Sequence, residues 1–349
     1  MSVTIIDVAK LAGVSKTTVS AVLCEKKGIK PETRDRVMEA IEELHYVPNF
    51  NARNFVRRRT NILGALVLAK NPERPNYRFE RETGLFSQTV ISGITARLTN
   101  TGYGLITEMH DPRSHELPQM VRDSRVDGMF VIGSVGADVD IPSMLGGRDI
   151  PVVVLGTNVE DYDSFSVDIE EAFYIAVKHL IEGGHKNIGL INCSMRFPSY
   201  IDRINGYRRA LGEAGIAAGD ELIVYTRRNT GAAGMAAAEE LFARTAGRMP
   251  DALVCANISA TMGAMRCLYS RAMRVPEDIS VIGHDDSVIY GYSAPGITAT
   301  NIRKEEMGGM GAEVMLRRIE GDTSDRPLSV LVKPYLVERE SVRDLGGII

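Results

Sequence analysis

Thr4-Ile-Ile-Asp-Val-Ala-Lys-Leu-Ala-Gly-Val-Ser-Lys-Thr-Thr-Val-Ser-Ala-Val-Leu23 decides what kind of domain opens the chain. Two short amphipathic segments flank Gly13, with nothing between them long enough to form a separate element. Thr4 and Asp7 have the spacing of a capping box, so the first helix carries its own start signal. Val8, Ala9, Leu11 and Ala12 make its expected apolar face, and Gly13 tolerates the backbone conformation that turns the chain into a second helix at Ser15. In that helix Val19, Val22 and Leu23 fall at i, i+3 and i+4, leaving Lys16, Thr17, Ser20 and Ala21 on the opposite face. Such a helix-turn-helix, with small polar residues and one cation outward, suits the DNA major groove, where side chains must come close to base edges.

Further along, Pro31 starts a third helix whose Val37, Ala40, Ile41 and Leu44 recur at i, i+3, i+4 and i+7 and close a three-helix core. After His45-Tyr46-Val47-Pro48, the segment from Asn49 to Thr60 has a capping Asn49 and a basic end at Arg57, Arg58 and Arg59. The ordered run Asp7-Val-Ala-Lys-Leu-Ala-Gly-Val-Ser15, Thr18-Val-Ser20, Pro31-Glu-Thr-Arg34, Arg36-Val37 and Tyr46-Val-Pro-Asn49 resembles the headpiece signature of the lactose-repressor (LacI/GalR) family of bacterial transcription regulators. The resemblance implies Lys16 and Thr17 at base edges, Ser15, Thr18 and Ser20 toward phosphates, and Thr4, Ala21, Asn49, Arg57 and Arg58 also against DNA. Where that family carries a leucine that wedges into the minor groove, Ala52-Arg53-Asn54-Phe55 places Phe55. Its ring can stack on an opened base step, or pack on the headpiece or a dimer mate.

The charge is segregated. The whole chain carries net charge -4, yet residues 1–60 hold eleven Lys and Arg against seven Asp and Glu, a balance of +4 that leaves -8 for the rest. A basic small domain on an acidic large one fits phosphate attraction at one end only. Four scattered cysteines, Cys24, Cys193, Cys255 and Cys267, lack metal-ligand spacing and suggest reduced thiols in a cytoplasm. No apolar run approaches a membrane span, and the amino terminus lacks a signal-peptide core, so the expected setting is the bacterial cytoplasm and nucleoid rather than the periplasm.

From Ile62 the texture changes to short β-rich runs alternating with amphipathic helices: Ile62 to Leu68, Gly104 to Thr107, Gly128 to Gly133, Pro151 to Gly156, Ile188 to Ile191, Ala252 to Cys255 and Ile279 to Gly283. Apolar strands covered on both faces mean parallel sheets, and their number suggests two doubly wound subdomains. Crossings between them are expected near Asp161 to Asp168 and Ser293 to Thr300. The pattern resembles the periplasmic-binding-protein-like core with which this repressor family senses small molecules, through Pro276 to Ser287 and the Glu306-Met-Gly308 helix. The expected organisation is a headpiece at 1–47, a hinge helix and linker at 48–60, and a core at 61–349. Within the core, subdomain one takes about 61–165 and 298–326, and subdomain two about 166–297 and 327–349.

Open α/β sheets bind ligands beyond the carboxyl ends of their strands. Arg203 in Tyr-Ile-Asp-Arg-Ile-Asn-Gly-Tyr is similar to the family's ligand-binding arginine, whose fork takes vicinal hydroxyls or a carboxylate. Asp285 matches the hydroxyl-accepting aspartate. Asn257 stands where the family has Asn-Asp but is followed by Ile258, and fits a ligand contact or a turn. Asn229 occupies the position of a ring-stacking aromatic, which argues against an ordinary hexose. Tyr77, with Phe79 and Arg81, lies in a long segment that reads as a lid over the ligand or as a charged surface insertion.

The chain contains no P-loop, no GxGxxG after a strand, no HExxH and no GxSxG, and His284-Asp285-Asp286 has no further metal-ligand cluster beside it. The expectation is therefore a homodimeric regulator without cofactor that reads a pseudo-palindromic operator and answers to a small-molecule effector. The alternative is a sugar- or nucleoside-processing enzyme fused to a helix-turn-helix.

Overall fold

A computed structural model of the protein describes residues 3–23, 28–46, 59–69, 83–133, 139–195, 199–322 and 326–346. Three helices form the headpiece: α1 (Ile5–Leu11), α2 (Lys16–Leu23) and α3 (Pro31–Glu43). Val8, Ala9, Ala12, Val19, Val22, Val37 and Ala40 make its core. Gly13 turns the chain at φ +63°, a left-handed conformation that a side chain would strain. Leu11, expected on the buried face of α1, is 46% exposed. At 100° per residue it lies about 110° around the helix from the centre of the face formed by Ile5, Val8, Ala9 and Ala12.

The core follows as β1 (Ile62–Leu68), α4 (Thr83–Leu98), β2 (Gly104–His110), α5 (Gln119–Arg122), β3 (Gly128–Ile132), α6 (Ile141–Leu145), β4 (Val152–Leu155) and β5 (Asp163–Val167). It continues as α7 (Ile169–Glu182), β6 (Ile188–Asn192), α8 (Tyr200–Glu213), β7 (Ile223–Tyr225), α9 (Gly231–Arg244), β8 (Ala252–Cys255), α10 (Ile258–Ser270), β9 (Ser280–His284) and α11 (Val288–Tyr292). The last elements are β10 (Thr298–Asn301), α12 (Lys304–Glu320), β11 (Ser329–Val332) and β12 (Tyr335–Val337).

Two six-stranded sheets result, ordered β11-β5-β4-β3-β1-β2 and β12-β10-β9-β8-β6-β7. The first is parallel throughout, and the second is parallel except where β12 runs against β10. Helices α4 and α12 cover one face of the first sheet, through Val90, Ile94, Met307 and Met315. Helices α7 and α8 cover one face of the second sheet, and α9 and α10 the other. Where α4 meets α12 the backbones touch: a Cβ on Gly93 would strike the Glu305 carbonyl, and one on Gly308 the Val90 carbonyl.

The strand pairing corrects the expected subdomain boundaries. Thr298–Asn301 was placed with a crossing and in subdomain one, but it pairs with β9 in the second sheet. β11 belongs to the first sheet, beside β5, which occupies most of the other expected crossing. The chain therefore passes between the sheets at Asp168, at 302–303 and at 333–334. β5 and β10 escape an apolar pattern because they bury hydroxyls. Ser164, Thr298 and Thr300 are all fully or almost fully buried, bonded to Asn158, to the Arg339 carbonyl and to His284 respectively.

Candidate functional site

Val19 and Val22 tether α2 to the headpiece core, which leaves Lys16 and Thr17 exposed and Ser20 and Ala21 half-buried at the rim. Ser15 caps the helix: its hydroxyl accepts from the Thr18 N–H at 3.1 Å and shares 2.8 Å hydrogen bonds with the Thr17 and Thr18 hydroxyls. The first turn of α2 is thus preorganised. Thr4 does the same for α1, since its N–H and hydroxyl both donate to the Asp7 carboxylate at 2.9 and 2.7 Å. That hydrogen bonding holds the Asp7 carboxyl below the usual carboxylate range. Asn49, Phe55, Arg57 and Arg58 lie outside the described residues, as does Tyr77.

At the entry to the core, Asp127 gathers the linker. Its carboxylate accepts from the Thr60 N–H and hydroxyl at 2.7 and 2.9 Å and from the Asn61 N–H at 2.7 Å. Arg59 reaches across to donate to the Ile319 carbonyl in the last turn of α12. Nothing in the sequence around Asp127 marks it for this role, because the contact spans more than sixty residues.

Beyond the carboxyl ends of the second sheet, α8 projects Arg203, β9 ends at His284 and Asp285, and the start of α12 supplies Lys304. Arg203 is 9% exposed. Its Nη1 donates to the Ser199 carbonyl and hydroxyl at 2.9 and 2.6 Å, while its Nε is buried with no hydrogen-bond partner. The guanidinium lies over the Phe173 ring, 5.6 Å from its centroid, and burial lowers its pKa. Asp285 adopts φ +67°, a left-handed turn directly after β9 that sets the direction of its carboxylate. Burial raises its pKa, against the pull of Lys304, with which it forms an ion pair. That pair joins a residue of the second sheet's rim to the start of a helix packed on the first sheet.

His284 lies between the charges. Its Nδ1 bonds the Thr300 hydroxyl at 2.8 Å and its ring packs against Phe173. Burial pushes its pKa well below the usual histidine value, and Arg203 and Lys304 add to the effect. Asp286 turns away to Arg339 at 2.9 Å. The histidine and the two aspartates therefore point to three different partners rather than converging on one metal position.

Asn257 caps α10, accepting from the Ala260 N–H at 2.9 Å, and its amide donates to Asn229 at 3.4 Å. Asn257 thus holds a turn and forms a polar pair with Asn229. The sequence offers His284 only as part of a metal cluster and gives no sign of Lys304. A lysine that opens a helix after Ile302-Arg303 looks like surface charge, and only the chain crossing buries it. Two cavities of about 380 Å³ each lie elsewhere, sharing Arg318, Asp322 and Pro327 in their walls near the amino ends of β4 and β5. Arg318 is already held there by Asp163 at 2.7 and 2.8 Å, so the unpaired donor of Arg203 is the better mark of a ligand position.

Comparison with known proteins agrees with this division of the chain. Residues 4–49 match the bacterial regulatory proteins of the lacI family, and residues 177–342 match a periplasmic binding protein-like domain. An HTH-type transcriptional repressor PurR of Vibrio atlanticus (strain LGP32) is 32% identical over 349 residues, which cover 98% of this chain and 99% of that one. The transcriptional regulator CelR in its cellobiose complex superposes with a TM-score of 0.67 at 31% identity, covering 97% of this chain and 99% of that one. The lac repressor dimer bound to operator and the anti-inducer ONPF shares the fold, with a TM-score of 0.79 at 22% identity over 98% of this chain and all of that one. Its relatives being repressors rather than enzymes, the chain belongs to the lacI family of bacterial regulatory proteins.

Proposed function

We propose that the protein works in the cytoplasm as a homodimeric repressor that reads a pseudo-palindromic operator, and that a small molecule bound between the core subdomains controls its grip on DNA. Each headpiece places α2 in a major groove, with Lys16 and Thr17 at base edges and the capped turn of Ser15, Thr18 and Ser20 beside phosphates. Thr4 and Ala21 flank that contact, and Asn49, Phe55, Arg57 and Arg58 continue it toward the minor groove. The effector, a sugar or related metabolite, sits against Arg203, Asp285, Asn257 and Asn229, with Tyr77 as a lid.

The observation that carries this reading is the ion pair of Lys304 with Asp285 beside the unpartnered Nε of Arg203. A ligand that engages Asp285 changes the bond between the two subdomains and so favours one of their orientations. Binding that favours the DNA-competent orientation makes a corepressor, and binding that favours the other makes an inducer. The test is operator affinity, measured by fluorescence anisotropy on DNA selected from a random pool, with and without candidate metabolites. Enrichment of a two-fold symmetric sequence whose affinity shifts with a metabolite supports the reading. Absence of any enriched sequence overturns it.

A further inference from the structure

We infer that the effector of this cleft is an oxyanion-bearing small molecule, whose carboxylate or phosphate group sits against Arg203 and Lys304, rather than a neutral sugar. The inference rests on the effector-cleft reading above and specifies its chemistry.

The first support is the charge balance around the cleft. Among the described residues, Arg203 and Lys304 are two buried cations facing one carboxylate, Asp285. The other nearby groups do not restore the balance. Asp286 is matched by Arg339. Burial keeps His284 uncharged, and burial raises the Cys193 thiol so that it stays protonated. Asp202, next to Arg203 on α8, attracts the guanidinium but is exposed, so water screens that attraction. A surplus cation in a poorly solvated cleft is stabilised far more by a bound anion than by a neutral hydroxyl.

The second support is geometric. Ser199 occupies Nη1 of Arg203 twice over, while Nε stays buried without an acceptor. An arginine that serves packing alone turns its free edge to solvent or to a carboxylate of the protein. Here the edge that includes Nε keeps its donor for an incoming acceptor, and the edge of a guanidinium matches two oxygens of a carboxylate or phosphate. The third support is the polar lining among the described residues. Asn229 and Asn257 form a polar pair, and Phe173, over whose ring the Arg203 guanidinium lies, also packs against His284. Recognition through a charged end needs no apolar ring face.

The full chain can be tested before its natural effector is identified. Thermal unfolding in sodium phosphate and in sodium acetate, each compared with sodium chloride at matched ionic strength, should rise saturably. The shift should vanish in Arg203→Gln. Lys304→Gln should weaken the apparent anion affinity at least about tenfold, the loss of one charge-assisted contact. Arg209→Gln, which alters a surface guanidinium held by Glu170 and Glu171, should respond like the parent. If Arg203→Gln does not fold, Arg203→Lys replaces it, keeping the charge but losing the fork. No saturable shift in the parent, or the same shift in parent and both cleft variants, overturns the inference.

A second arm titrates glucuronate, glucose 6-phosphate and glucose. Tighter binding of either acid supports the inference and separates carboxylate from phosphate recognition, tighter binding of glucose overturns it, and if none of the three binds the anion arm decides alone. Operator selection with ligand-free protein tests the regulator reading independently, so a chain that reads an operator but ignores anions loses only this inference.

Discussion

Arg59 donates a 2.7 Å hydrogen bond to the carbonyl of Ile319, in the last turn of the helix whose first residue, Lys304, is ion-paired with Asp285. Helix α12 is thus in contact with the effector cleft at one end and with the DNA linker at the other, about 22 Å away at 1.5 Å per residue. Because α12 is packed backbone to backbone on α4, a shift at Lys304 is expected to reappear at Arg59. Arg59→Ala should leave ligand binding to the core unchanged and reduce the ligand-linked change in operator affinity severalfold, by roughly 1 to 2 kcal/mol for one charge-assisted contact. Anisotropy titrations with and without ligand measure this ratio, and an undiminished ratio removes Arg59 from the linkage.

The close crossing of α4 and α12 makes a separate claim about stability. Gly308→Ala must push apart backbones that already touch, since its Cβ would meet the Val90 carbonyl. Overpacking of this kind costs typically about 1 to 3 kcal/mol. Urea unfolding followed by circular dichroism should show the loss, and Gly309→Ala, at a position with more room, should show much less.

Lys16 is an exposed cation at the start of α2. Lys16→Ala should change preference at one or two operator positions by about 1 to 3 kcal/mol per base pair, while Arg58→Ala should weaken all sequences alike. Selection from a randomised half-site separates the two outcomes. A sequence profile unchanged in Lys16→Ala removes it from base reading.

Phe55 lies outside the described residues, and its expected role comes from its place in Ala52-Arg53-Asn54-Phe55. Wedging costs a few kcal/mol of unstacking, offset by the contacts a kinked duplex allows. Phe55→Ala should therefore lower specific affinity and DNA bending together, with dimerisation unchanged. Circular-permutation gels that show parental bending in the variant would end the wedge role.

Acid should destabilise the core through its buried histidines. Burial holds the pKa of His284 well below 6.5, and burial lowers His185 as well. Each lowered pKa contributes stability that is complete above the unfolded value of about 6.5 and is lost as pH falls toward the folded value, because the unfolded chain takes up protons that the folded chain refuses. Melting temperature should drop between about pH 7 and about pH 5, and His284→Asn, which keeps a group able to bond Thr300, should flatten that slope. A parent whose melting temperature is level across this range would contradict the assignment.

The sequence by itself determined the headpiece and the alternation of the core. Local signals sufficed for both: the Thr4 and Asp7 cap, the Gly13 turn, helical spacing at Val37 to Leu44, and continuous apolar strands such as Ile62–Leu68. It also singled out Arg203, in the first turn of α8, and Asp285, directly after β9, as candidates, because a resemblance carried over short motifs preserves which residues stand at such positions. Tertiary structure decided how many times the chain crosses between sheets, and where. Thr298–Asn301 is a strand because its neighbours satisfy its buried backbone and hydroxyl groups, and Ser329–Val332 because it pairs with Ser164–Val167 far along the chain, neither of which a local pattern encodes. Lys304, Asp127 and the partner of Arg59 were settled the same way. Each acts through a residue far along the chain, and charges become a site only when folding removes the water between them.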